Sequence, residues 1–113
     1  MSLSEKNEIN EFEYALQYLQ KGEPIVIATV IETWGSSPRP IGSHMVVNKA
    51  GDFMGSISGG CVEGSVIIEA LEVLECGKSR TLEFSVATAD AWEVGLSCGG
   101  NIRILLQRYQ KAN

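Results

Sequence analysis

The sequence predicts an α+β fold, with helices packed on a small mixed sheet in one domain spanning 1–113. Three observations predict it: two stretches repeat apolar residues at helical spacing, several short runs are β-branched or alternating, and neither an internal repeat nor a low-complexity linker divides the chain. Residues 4–21 form the first predicted helix, with Ile9, Phe12, Leu16 and Leu19 on one face and Glu8, Glu11, Glu13 and Gln17 on others. Lys21-Gly22 followed by Pro24 signals its end. Ile25 to Ile31 is nearly continuous in apolar character, as expected of a strand covered on both faces. Gly35 to Gly42 holds two prolines and must be a shaped loop, because each proline removes a backbone donor. His44–Val47 and Phe53–Ser56 then read as a hairpin across Asn48–Asp52. From Cys61 the period turns helical again, with Val62, Val66, Ile67, Ala70, Val73 and Leu74 in one stripe that stops at Cys76-Gly77. Thr81–Val86 and Ile102–Leu106 complete the strands, and the polar residues Gln107 to Asn113 read as a frayed end.

Composition narrows the function classes. Of 113 residues, 44% are hydrophobic and 20% charged, the balance of an ordinary globular domain. Nine Lys and Arg against fourteen Asp and Glu give a net charge of -5, which opposes binding to nucleic-acid phosphates or anionic lipid. The first residues lack the basic flank and apolar run of a secretion signal, and no stretch suggests a membrane span, so a cytoplasmic protein is expected. Three cysteines with no CxxC pair make no disulfide framework and are expected as thiols. Three cysteines and His44 also lack the paired spacing of a structural zinc site.

Chemistry concentrates in three glycine-rich segments: Gly35 to Gly42, Gly55 to Gly64 and Gly95 to Gly100. Ser58-Gly59-Gly60 feeds directly into the second helix, where free N–H groups and the helix dipole favour a bound anion; a tight turn without ligand is the plain alternative. Cys61 is expected in the first helical turn, where the same N–H groups lower a thiol's pKa, against the plain alternative of a small buried hydrophobe. Cys98 stands in a second turn-like segment, whereas Cys76, at a helix end, reads as packing or neutral surface. Arg39, the cation within these loops, suits phosphate or carboxylate and equally suits a surface ion pair. Glu63 fits the helix N-terminus through its charge, and His44 in a strand reads as structural. Trp34 and Trp92 can wall a pocket or fill core.

Thr33 to Ser43 (TWGSSPRPIGS), Gly59 to Glu63 (GGCVE) and Gly95 to Gly100 (GLSCGG), in this order, resemble the N-terminal domain of the XdhC/CoxI family, accessory proteins that mature xanthine dehydrogenase and carbon monoxide dehydrogenase. The resemblance runs from Ile25 to Leu106 and implies a non-enzymatic chaperone that carries the molybdenum cofactor, a molybdopterin, as cargo. It implies protection of that cofactor and support for its sulfuration and insertion into a molybdenum hydroxylase apo-enzyme. On this basis Ser37, Arg39, Ser58, Gly59, Gly60, Cys61, Glu63, Cys98, Gly99 and Gly100 form the expected cofactor site. Arg39 and the helix N-terminus would receive the anionic tail, with Cys61 near the molybdenum or sulfur end. Family members usually continue into a Rossmann-like domain, whereas this chain stops at Asn113, so a separate Rossmann-domain partner or a second copy of the chain is expected; a cysteine desulfurase is a further partner that the resemblance implies. Two other readings of the residues stay open: a thiol redox enzyme pairing Cys61 with Cys98, and a non-catalytic module whose glycine loops shape a partner surface.

Overall fold

The computed structural model describes residues 10–34, 41–57, 62–86 and 100–111. Helix α1 spans Glu11–Gln20, β1 Ile25–Trp34, β2 His44–Asn48, β3 Phe53–Gly55, α2 Glu63–Cys76, β4 Arg80–Val86 and β5 Gly100–Tyr109. The strands form one five-stranded sheet in the order β3-β2-β1-β5-β4. The expected α+β class holds; every strand pairing among the described residues is antiparallel, where the sequence suggests a mixed sheet.

Alternation along the strands divides the interior into two layers. Val26, Ala28 and Val30 of β1, Met45 and Val47 of β2, and Ile102, Ile104 and Leu106 of β5 point to one face, where Val66, Ala70, Val73 and Leu74 of α2 cover them. These residues form the main core. On the other face Ile25 and Val46 meet Ala15 of α1, flanked by Tyr14, Tyr18 and Leu19. β1 is thus covered on both faces, as its continuous apolar run predicts.

Helix α1 begins where Asn10 Oδ1 accepts the Glu13 N–H at 2.8 Å. It ends in a Schellman arrangement: the Gly22 N–H donates to Leu19 O and the Glu23 N–H to Tyr18 O, both at 3.0 Å, with Gly22 at φ +81°. The expected inward stripe holds at Leu19 and is corrected at Phe12 and Leu16, while Ile9 lies outside the described residues. Phe12 is 59% and Leu16 51% exposed, and the buried side runs instead through Tyr14, Ala15, Tyr18 and Leu19. Aromatic bodies seal the small layer while the Tyr14 hydroxyl stays available to Asn48 Nδ2, which donates to it at 3.4 Å.

The β2–β3 hairpin forms as expected, with Val47 opposite Phe53 and Met45 opposite Gly55. Its turn is held by the buried Asn48, whose Oδ1 accepts the N–H groups of Ala50 at 2.9 Å and Asp52 at 3.0 Å. The expected frayed tail is also corrected. β5 continues to Tyr109, because Gln107, Arg108 and Tyr109 pair with Ile27, Val26 and Ile25. A polar composition does not prevent a ladder whose partner strand is already fixed in the core.

Candidate functional site

Strand direction makes one end of this sheet chemically distinctive. β1, β3 and β4 run toward it, and β2 and β5 run away from it. The end therefore gathers Trp34, His44, Gly55, Val86 and Gly100. The Gly35–Gly42 segment leaves β1 there and returns to β2, and the Gly95–Gly100 segment enters β5 beside it. Asn101 lies opposite Trp34 in the ladder, so the departure of the first segment and the arrival of the third are neighbours. The Gly55–Gly64 segment leaves β3 at the same end and leads into α2. All three glycine-rich segments are anchored at this one end.

The anchors are specific. A register shift in β1 between Val30 and Glu32 leaves Ile31 unpaired, a bulge that re-aims the strand just before the first segment. On the return, the Gly42 N–H donates to Val30 O at 2.8 Å and the Val30 N–H donates to Ser43 O at 2.9 Å. At the second segment, the Ile57 side chain is fully buried and Val62 nearly so, both in the main core. The Glu63 carboxylate lies between them: its Oε2 accepts the Ile57 N–H at 3.0 Å and the Ser56 hydroxyl at 2.9 Å, and the residue is only 7% exposed.

Of the expected site residues, Glu63 is the first residue of α2 and Gly100 the first of β5, opposite Val86. Ser37, Arg39, Ser58, Gly59, Gly60, Cys61, Cys98 and Gly99 lie outside the described residues, as does Trp92. The helix starts later than its apolar stripe suggests. Val62 is the N-cap, with φ -125° and ψ 3°, so the first turn begins at Glu63 and not at Cys61. The Glu63 side chain turns back to the strand exit, a contact that the sequence signals only through a serine after β3 and a carboxylate at the helix start. Cys76 is exposed, and the His44 ring packs edge-on against Phe12 with centroids 5.1 Å apart.

Two other features stand apart from this end's glycine anchors. A shallow cleft of about 340 Å³ between α2 and β4 is lined by Ser65, Ile68, Glu69, Leu82, Glu83 and Phe84, none of them cationic. Glu69 is paired with Arg80 at 2.8 Å and Glu83 with Arg103 at 3.0 Å, so its charges are engaged elsewhere. On the face opposite α2, Arg103 of β5 sits directly between Glu32 of β1 and Glu83 of β4 and bonds both. Hydrogen bonding to Glu83, then the charge of Glu32, holds the Arg103 guanidinium above its ordinary pKa. No helix among the described residues is long and apolar enough to cross a membrane.

The family model for the XdhC and CoxI family matches residues 18–85. The chain is 35% identical over 100 residues to the molybdenum cofactor insertion chaperone PaoD of Escherichia coli, covering 88% of this chain and 31% of that protein. It is 30% identical over 92 residues to a probable xanthine dehydrogenase component of Bacillus subtilis, covering 80% and 28%. A crystal structure of a xanthine dehydrogenase from Bacillus halodurans superposes with a TM-score of 0.70 at 30% identity, covering 88% of this chain and 30% of that one. The chain thus spans under a third of the length of these relatives. The fold, the glycine-segment anchors and a family match over 18–85 lead to one assignment: the chain belongs to the XdhC and CoxI family.

Proposed function

We propose that this domain binds the molybdenum cofactor as cargo, protects it, and supports its sulfuration and insertion into a molybdenum hydroxylase apo-enzyme, without turnover of its own. The observation that carries this reading is the anchoring of three glycine-rich segments at one end of the sheet, beside the start of α2. Family membership and the likeness to a cofactor insertion chaperone support it.

In this reading the cofactor's phosphate-bearing tail meets Arg39 and the backbone N–H groups of Ser58, Gly59 and Gly60, since glycine permits close backbone approach and the arginine fork suits a phosphate. Cys61 faces the molybdenum or its sulfur, while Ser37, Cys98, Gly99 and Gly100 line the remaining wall. The recipient is an apo-enzyme of the molybdenum hydroxylase class; a cysteine desulfurase supplies sulfur, and a Rossmann-type domain or a second copy completes the binding surface. The domain works in the cytoplasm.

The test is retention. Purified chain is mixed with released molybdenum cofactor under anaerobic conditions, separated from free ligand by gel filtration, and assayed for molybdenum and pterin per chain. Wild type should retain a fixed ratio, and Cys61→Ser should lose most of it while keeping its circular dichroism spectrum. Arg39→Ala should weaken retention most at low salt, where a phosphate contact is least screened. Equal retention by wild type and Cys61→Ser removes the cysteine from the site, and thiol turnover beyond one equivalent would favour a redox enzyme using Cys61 with Cys98.

A further inference from the structure

We propose that Glu63, expected from the sequence among the cofactor-binding residues, is instead a positioning residue at the glycine–cysteine segment, acting through the reach of its carboxylate and the hydrogen bonds it accepts, not through its charge or by touching cargo. Only the functional consequence rests on the cofactor reading above.

A carboxylate that is 93% buried, the complement of its 7% exposure, is costly unless its oxygens are satisfied, so its partners define its work. Two of those partners are the residues at the exit of β3. Oε2 holds the Ser56 hydroxyl at 2.9 Å and the Ile57 N–H at 3.0 Å. A glutamate in a first helical turn ordinarily serves the helix's own N–H groups. Here the side chain reaches back across the connection to the preceding strand, six positions upstream at Ile57. Val62 supplies no side-chain cap, yet the Val66 N–H donates to Val62 O at 2.9 Å, so the helix begins firmly at that point. Ile57 and Val62 are both seated in the main core. The Glu63 tie therefore fixes the two ends of the connection against each other by a polar contact as well as by burial. A ligand that contacts this connection then meets ends already fixed, which is preorganisation.

Reach and charge separate cleanly in two substitutions. Glu63→Gln keeps the length and an acceptor oxygen but removes the charge; Glu63→Asp keeps the charge but is one methylene short. Both full-length variants, with Ser56→Ala as a milder change that removes one donor, are compared with wild type in two measurements: molybdenum cofactor retained after gel filtration, and hydrogen exchange of the Ile57 amide. Glu63→Gln should stay within about threefold of wild type in both, whereas Glu63→Asp should lose about tenfold in retention and exchange about tenfold faster at Ile57, the loss expected of an undone preorganising contact. Ser56→Ala should fall between them. Retention kept by Asp and lost by Gln would overturn the inference in favour of a charge role, and equal behaviour of Gln and Asp would overturn it outright. Should wild type retain no cofactor, the cofactor reading fails by itself, and the Ile57 exchange rates still decide the role of Glu63.

Discussion

Replacing Gly55 by alanine should destabilise the domain by about 3 kcal/mol, and the structure separates the contributions. Gly55 has φ +99°, where a β-carbon costs about 1–2 kcal/mol for conformation alone. That carbon would also lie 2.4 Å from the His44 carbonyl oxygen and 2.7 Å from Glu11 Cγ. The Glu11 side chain can swing away, but the His44 carbonyl belongs to the backbone of β2. Moving it disturbs a hairpin that pairs only Met45, Val46 and Val47 with Gly55, Met54 and Phe53, at a further cost of about 1–1.5 kcal/mol for a lost backbone hydrogen bond. Gly22 is the internal reference: its φ is +81°, with nothing within 4 Å of an added β-carbon. Gly22→Ala should therefore show only the conformational cost, about 1 kcal/mol after the smaller unfolded-state entropy of alanine is counted. Urea unfolding followed by circular dichroism gives both values, and the Gly55 variant should melt about 12 °C or more below wild type on the usual scaling for a domain of this size. Equal destabilisation by Gly55→Ala and Gly22→Ala would refute the steric argument, as would recovery of Gly55→Ala by Glu11→Ser.

Two more outcomes follow from the charged and phenolic groups. Arg103→Met should lower the denaturation midpoint more at low than at high salt, because it leaves Glu32 and Glu83 on one sheet face without their shared cation; identical losses at both salt levels would show that the loss is one of packing. The Tyr14 hydroxyl is pushed up from 10.0 to about 12, first by burial, then by its hydrogen bond to Tyr18 and the charges of Tyr18 and Asp52. The folded state thus holds this proton more tightly than the unfolded chain, so the contribution is intact below pH 10 and is lost as pH rises toward 12. Tyr14→Phe should make the stability profile flatter over that interval, and an unchanged slope would show that other groups set the alkaline limit.

Helix α2 was legible because Val62, Val66, Ala70, Val73 and Leu74 repeat at helical spacing and all reach the same core. The inward face of α1 was not, since Tyr14 and Tyr18 pack as well as aliphatic residues do and the small layer over Ile25 and Val46 has room for few side chains. Hydrophobicity alone ranks Phe12 and Leu16 above the tyrosines; only the placement of β2 reverses that order. The end of β5 escaped notice for a related reason: Gln107 to Tyr109 carry no strand signal, and their pairing comes from the length of β1 opposite. At the candidate site, glycine and cysteine spacing marked the three segments, but their common anchoring is a property of strand direction. The Ser56–Glu63 contact has no motif at all and emerges only when the β3 exit meets the start of α2.

The strand order also sets a timetable for folding. β5 follows the other six described elements in the chain yet lies inside the sheet, between β1 and β4. Until it leaves the ribosome, β4 lacks the one ladder neighbour it has among the described residues, and the faces of Ile102, Ile104 and Leu106 are missing from beneath α2. The nascent chain can form the β2–β3 hairpin and its pairing with β1, and α2 can settle on Val26, Ala28, Val30, Met45 and Val47, but the part of its apolar side that covers β5 waits for residues distant in sequence. The sheet thus closes late, an interval in which premature contacts between emerging chains are most damaging. The glycine-rich end is itself completed only when Gly100 takes its place opposite Val86.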